Sequence, residues 1–249
     1  MNNLDRLIEI LCEERGEKVP PLSETQKPDY FRALCNVRPP LPVSAEFLTL
    51  QNEYLSKTKR ERGVIDVNDL EYSGGIALFK GDITAMNADA IINAANSQML
   101  GCFHPLHNCI DNAIHSAAGV QVRLACNDIM KGRQAENSEV IVTKAYNLPS
   151  RFIFHTVGPI VYGKVTGRNR EDLKKCYTNC LEKAVGLKLK TIAFCCISTG
   201  VFGYPKEEAA SLAVRAVKEY PNRAGIKVIF DVFTEDDYEI YGRLLGKTR

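Results

Sequence analysis

The chain has 249 residues, of which 45% are hydrophobic and 25% charged, with a formal net charge of +2. This is ample for one large domain or a core domain with an extension, and with no basic tail or stripe nucleic acid is not favoured as a partner. No apolar run nears the ~20 residues of a membrane span, and no basic region with an apolar stretch and cleavage site opens the chain, so it is expected to be cytoplasmic, with no membrane partner and a monomer as the default.

Residues 1–70 differ from the rest. Leu4, Leu7, Ile8 and Leu11 predict an amphipathic helix, and Phe47, Leu50 and Tyr54 another, with breaks at Pro20-Pro21 and Pro39-Pro40-Leu41-Pro42. This reads as a helical extension packed on a core domain of residues 71–249. The basic run Lys57, Lys59, Arg60 and Arg62 reads as a solvated helix end.

From residue 75 onward, strand-length apolar runs alternate with helical patterns. Strands are predicted at 76–79, 90–93, 140–143, 152–157, 191–197 and 228–233, and helices at 109–130, 171–187, 205–219 and 235–244. The alternation implies an α/β fold, with a mixed, largely parallel sheet between two helical layers. Ligands in such folds bind at the carboxyl ends of the strands.

Four loops fall there. Gly81-Asp82-Ile83-Thr84 follows the first strand; Asp82 is either a turn cap or an acceptor for an exocyclic amine. Asn93-Ala94-Ala95-Asn96-Ser97 offers two amides among small residues, suited to sugar hydroxyls. Next, Gly101 to Asp111 holds two cysteines, two histidines and an acid within eleven positions. Thiolates and imidazoles so close together suit zinc, and since no second cluster completes a four-ligand set, the ion would keep an open position. Finally, Ser198-Thr199-Gly200-Val201-Phe202-Gly203-Tyr204-Pro205 leads into a helix and could turn backbone N–H groups towards a diphosphate. The other seven cysteines have packing explanations: Cys176 and Cys180 share a helical face with Leu173 and Tyr177, Cys195 and Cys196 lie in a buried strand, and Cys12, Cys35 and Cys126 lack neighbours at ligand spacing. His115 and His155 read as core histidines.

Taken together and in order, these motifs, with Ile114-His115-Ser116-Ala117-Ala118-Gly119, resemble the macrodomain family, whose members bind ADP-ribose. The resemblance spans roughly residues 75 to 245 and implies a three-layer α/β/α macrodomain. By it, Asp82 holds the adenine, Ile83 adds a backbone contact and Phe233 stacks on the ring. Ser198, Thr199, Gly200, Val201, Phe202, Gly203 and Tyr204 wrap the diphosphate and, with Asn96 and Asp111, the distal ribose. Hydrolytic macrodomains usually carry a glycine run before the acid matching Asp111. Here that segment is Cys102-Phe103-His104-Pro105-Leu106-His107-Asn108-Cys109, similar to a zinc-containing microbial branch linked to sirtuin-type ADP-ribosyltransferases and a lipoate-carrier protein. That match implies one zinc ion on Cys102, His107 and Cys109, with His104 outside the ligand set. A Cys-x4-His-x-Cys run can wrap three ligands around a tetrahedral ion.

The resulting expectation is a zinc-dependent hydrolase that removes mono-ADP-ribose from modified proteins. Asp111 would position or deprotonate the water, Asn96 would fix the sugar, and Phe202 and Tyr204 would close over it. The competing readings are a module that binds ADP-ribose without cleaving it, a hydrolase of small metabolites such as O-acetyl-ADP-ribose, and a purely structural zinc loop.

Overall fold

In the computed structural model, which describes residues 3–221 and 225–247, the β-branched and aromatic runs form one six-stranded sheet. Its strands are β1 (Ile76–Lys80), β2 (Ala90–Ala95), β3 (Val140–Lys144), β4 (Phe152–Val157), β5 (Thr191–Phe194) and β6 (Lys227–Val232), in the order β1-β6-β5-β2-β4-β3. Every pairing is parallel except that of β3, which runs antiparallel to β4 at one edge. The central strands are buried almost throughout, which is why they read as continuous apolar runs. β5 ends at Phe194, three residues before its apolar run does, so Cys195 and Cys196 belong to the following loop and not to the strand.

The helices of the described residues are α1 (Asn3–Glu14), α2 (Lys27–Val37), α3 (Ala45–Arg62), α4 (Ile110–Ala118), α5 (Val120–Met130), α6 (Gly167–Gly186), α7 (Lys206–Glu219) and α8 (Glu235–Leu245). α4 and α5 cover one face of the sheet, while α6, α7 and α8 pack side by side on the other, giving the three layers anticipated. Cys176 and Cys180 are fully buried with Leu173 and Tyr177, and all nine cysteines are free thiols. No helix among the described residues is long and apolar enough to cross a membrane.

The single helix expected over 109–130 is broken in two. Gly119 adopts φ +94°, and a Cβ there would meet the Gln51 amide at 2.6 Å, so a side chain from α3 occupies the space beside the break. Gln51 also accepts the Val120 N–H at 2.9 Å.

The extension holds three helices, not two. Leu7, Ile8, Leu11, Phe31, Leu34 and Phe47 form their own apolar cluster, joined by Val120 of α5. α2 escaped the sequence reading because its core-facing residues include the polar Arg32 and Asn36. After α3 the chain is stitched to the core domain, with the Ile65 N–H donating to the Ala85 carbonyl and the Asn87 N–H to that of Ile65.

Candidate active site

The parallel strands β1, β2, β5 and β6 end at the same edge of the sheet, and the loops beyond them enclose a cleft of about 430 Å³. Its walls bring together residues far apart in sequence: Asp82 and Ile83 after β1, Asn96 after β2, Cys102, His107, Cys109 and Asp111 before and within α4, and Ser198 to Phe202 after β5. Phe233 stands at the rim, 72% exposed and free to lie against a planar ring. Gly203 and Tyr204 do not line the cleft. Gly203 closes the turn with φ +68°, and Tyr204 is 2% exposed in the core, so the expectation that its ring closes over a ligand is corrected. A bond from the Tyr204 N–H to the Ser198 carbonyl (3.0 Å) folds the loop back and leaves Thr199 to Phe202 along the cleft.

Of the two roles its sequence context allowed, the structure shows the turn cap: Asp82 caps a short 3₁₀ turn by accepting the Thr84 N–H at 2.9 Å, with its side chain also facing the cleft. Asp231 of β6 also lines the cleft, buried; desolvation and the nearby Asp82 charge push its carboxyl up to about 8.

At the other end, the Cys102 thiol lies 3.5 Å from His107 Nδ1, and the ligand atoms of Cys102, His107 and Cys109 all fall within 4.8 Å of one another. Sulfur and nitrogen ligands of a tetrahedral zinc, at ~2.3 and ~2.05 Å from the ion, stand ~3.6 Å apart, so the cluster fits that metal. His104 packs edge-on against His107, ring centroids 5.4 Å apart, and is not in the cluster. Cys109 caps α4, accepting the Asn112 N–H at 3.4 Å. Burial raises its thiol to about 11, so a bound cation is what would keep it a thiolate.

Asp111, in the first turn of α4, is buried at the floor of the cleft, and desolvation pushes its carboxyl up to about 6 against the Asn93 hydrogen bond. Asn93 Nδ2 donates to Asp111 Oδ1 at 2.7 Å and lies 3.1 Å from His155 Nδ1, while His155 Nε2 is 3.0 Å from the Thr143 hydroxyl. Burial holds His155 down to about 3 and His115 well below the usual imidazole range, so both are neutral. Asn93 is therefore not the sugar-facing amide the sequence suggested, but a buried support for Asp111. Asn96 lines the cleft while its amide nitrogen holds the Gly101 carbonyl at 3.0 Å.

The family model described as "Macro domain" matches residues 92–213. A protein-ADP-ribose hydrolase of Treponema medium is 42% identical over 96% of this chain and 97% of its own length. The chain belongs to the macrodomain family. One from Staphylococcus aureus is 45% identical over 96% of this chain and 93% of its own. Among solved structures, a mutant Oceanobacillus iheyensis macrodomain with ADPR aligns with TM-score 0.63 and 38% identity, covering 69% of this chain and 91% of that one.

Beyond the macrodomain motifs lie contacts that the sequence did not disclose. Asn36 of α2 accepts the Leu106 N–H at 3.0 Å, where Leu106 takes a left-handed φ of 54° within the cysteine-histidine loop. Asn112 accepts from Arg32 of α2 at 2.7 and 3.2 Å and donates to the His104 carbonyl at 3.0 Å. The extension thus braces the loop from behind. No local pattern signals such pairs, 70 or more residues apart.

Proposed function

We propose that this macrodomain is a zinc-dependent hydrolase that removes mono-ADP-ribose from modified proteins. The observation that carries the reading is one cleft lined by the half-exposed carboxylate of Asp82 at one end and, at the other, by a buried carboxylate beside three side chains placed to hold a metal. The names of the Treponema and Staphylococcus relatives support the same activity.

In this reading the adenine sits between Asp82 and Phe233, the diphosphate lies along Ser198 to Phe202, and the distal ribose meets Asn96 and Asp111. Cys102, His107 and Cys109 would hold the zinc, which when bound supplies Lewis acidity next to the ribose. Cleavage of the bond at the anomeric carbon passes through an oxocarbenium-like transition state, which a nearby carboxylate stabilises. Asp111 also accepts the proton of the attacking water, while the Asn93 hydrogen bond keeps its carboxylate aimed. Phe202 and the exposed Val201 cover the ribose and keep bulk water out. As the target we propose a mono-ADP-ribosylated protein, the lipoate-carrier protein of a sirtuin-type transferase system being the first to assay.

The test compares the chain with Asp111→Asn on a mono-ADP-ribosylated protein. The reading expects the variant to bind ADP-ribose and lose at least ~100-fold in release rate, the low end of what a general base contributes. Binding without release by the unaltered chain, across serine-, acid- and lysine-linked substrates, would make the protein a binding module instead.

A further inference from the structure

Arg62 ends α3, in the basic run that reads from sequence as a solvated helix end. Its guanidinium instead reaches the acid at the adenine end of the cleft. Nη1 donates to Asp82 Oδ2 at 2.8 Å and to the Thr84 hydroxyl oxygen at 2.7 Å, and Nη2 donates to the Thr84 carbonyl at 3.0 Å. The other Asp82 oxygen, Oδ1, accepts the Thr84 N–H at 2.9 Å and the Thr84 hydroxyl at 2.6 Å. A carboxylate has about four acceptor positions, and three of them are filled from within the protein. The one that remains is on Oδ2, and the Asp82 side chain is still 45% exposed where it lines the cleft.

We propose that Arg62 is the residue through which the N-terminal extension sets base selectivity: it fixes the Asp82 carboxylate with a single acceptor position left for the exocyclic amine of a 6-aminopurine. The proposal rests on the placement of the base at Asp82. Without Arg62 the carboxylate keeps only its bonds to Thr84 and can rotate about them. With it, both oxygens are held, and a 6-oxopurine brings its carbonyl oxygen against an anion that cannot turn aside. The support behind Arg62 is rigid, because the chain beyond α3 pairs with the segment following Asp82 through Ile65 and Ala85 (2.9 Å), and the Val67 N–H donates to the Asn87 side chain at 2.9 Å. A half-exposed ion pair contributes little to stability by itself, so the effect belongs in ligand selectivity more than in folding.

The test is calorimetric titration of the full chain with ADP-ribose and with its hypoxanthine counterpart, for the unaltered protein, Arg62→Ala, Arg62→Lys, Asp82→Ala and the double alanine variant. Arg62→Ala is expected to weaken ADP-ribose binding by about fivefold to tenfold, less than the whole of one charge-assisted hydrogen bond because the Asp82 carboxylate is loosened and not removed, and to change binding of the hypoxanthine compound by less than about twofold. Arg62→Lys should recover part of the loss, and Arg62→Ala should add nothing on the Asp82→Ala background. Equal losses for both nucleotides, or unchanged selectivity in Arg62→Ala, would overturn the proposal. Unchanged selectivity in Asp82→Ala would overturn it together with the placement of the base, and failure of the unaltered chain to bind ADP-ribose would overturn the proposed function itself.

Discussion

Replacing Asn112 with alanine should loosen the cysteine-histidine loop without touching any of its ligands. Asn112 is fully buried, accepts two hydrogen bonds from the Arg32 guanidinium and one from the Ser116 hydroxyl (3.3 Å), and donates to the His104 carbonyl. Alanine leaves Arg32 and the His104 carbonyl without these partners. A bond to a charged donor contributes roughly 1.5–3 kcal/mol and a neutral one about 1, so the loss should be about 3 kcal/mol. For a chain of this size that lowers the melting temperature by about 6–12 °C. Because the His104 carbonyl lies between Cys102 and His107, the loop would also have to be ordered again on binding metal, weakening zinc affinity by about 10-fold, as lost support behind metal ligands does. Circular dichroism melts in chelator measure the first effect, and competition against a zinc indicator measures the second. A melting temperature within about 2 °C of the unaltered chain, on the same scale, with unchanged zinc affinity would show that the extension does not brace the loop.

Two further substitutions test the floor and the base end of the cleft. Gly101→Ala would set a Cβ 2.7 Å from His115 Nδ1 at a φ of +84°, and the buried ring, packed against His155, has nowhere to go. The expected result is a loss of about 2–4 kcal/mol by urea titration together with lower zinc content, and unaltered values for both would contradict the packing described. Asp231→Asn tests the buried carboxyl in β6. Its folded pKa, about 8, lies above the ordinary carboxylate value of 3.8, so the folded state holds the proton more tightly and stability from this group falls as pH rises from about 4 through 8. The asparagine variant should therefore lose that slope and be more stable than the parent at pH 8.5, by about 1–3 kcal/mol; parallel stability curves from pH 5 to 9 would refute it.

The sheet and its helices were legible because their signal is local: apolar runs buried on both faces, helical periodicity at Leu173, Cys176, Tyr177 and Cys180, and loops rich in Gly, Asn and Asp at strand ends. The loop motifs also located the cleft, since parallel strands deliver their carboxyl ends to one edge. Several of the misses come from contacts distant along the chain, and others from how a strand or loop turns locally. The α4–α5 break depends on Gln51 from the extension, and α2 shows polar residues on its inner side because they hold the cysteine-histidine loop. Asn93 looks like a ligand-binding amide, yet β2 alternation turns it beneath Asp111 while Asn96, beyond the strand, stays in the cleft. Tyr204 sits in a loop of small residues that suggests a lid, but the fold-back onto Ser198 sends its ring to the core. Arg62 is indistinguishable by sequence from Lys57, Lys59 and Arg60, and only the position of the last turn of α3 gives it Asp82.

The most direct test of the central claim is to titrate zinc into metal-stripped protein, with folding checked by circular dichroism, while recording both bound metal and release of ADP-ribose from a modified protein. The account predicts one zinc per chain, release that rises in proportion to occupancy, and neither in Cys102→Ala or Cys109→Ala. Full release from folded, zinc-free protein would contradict it.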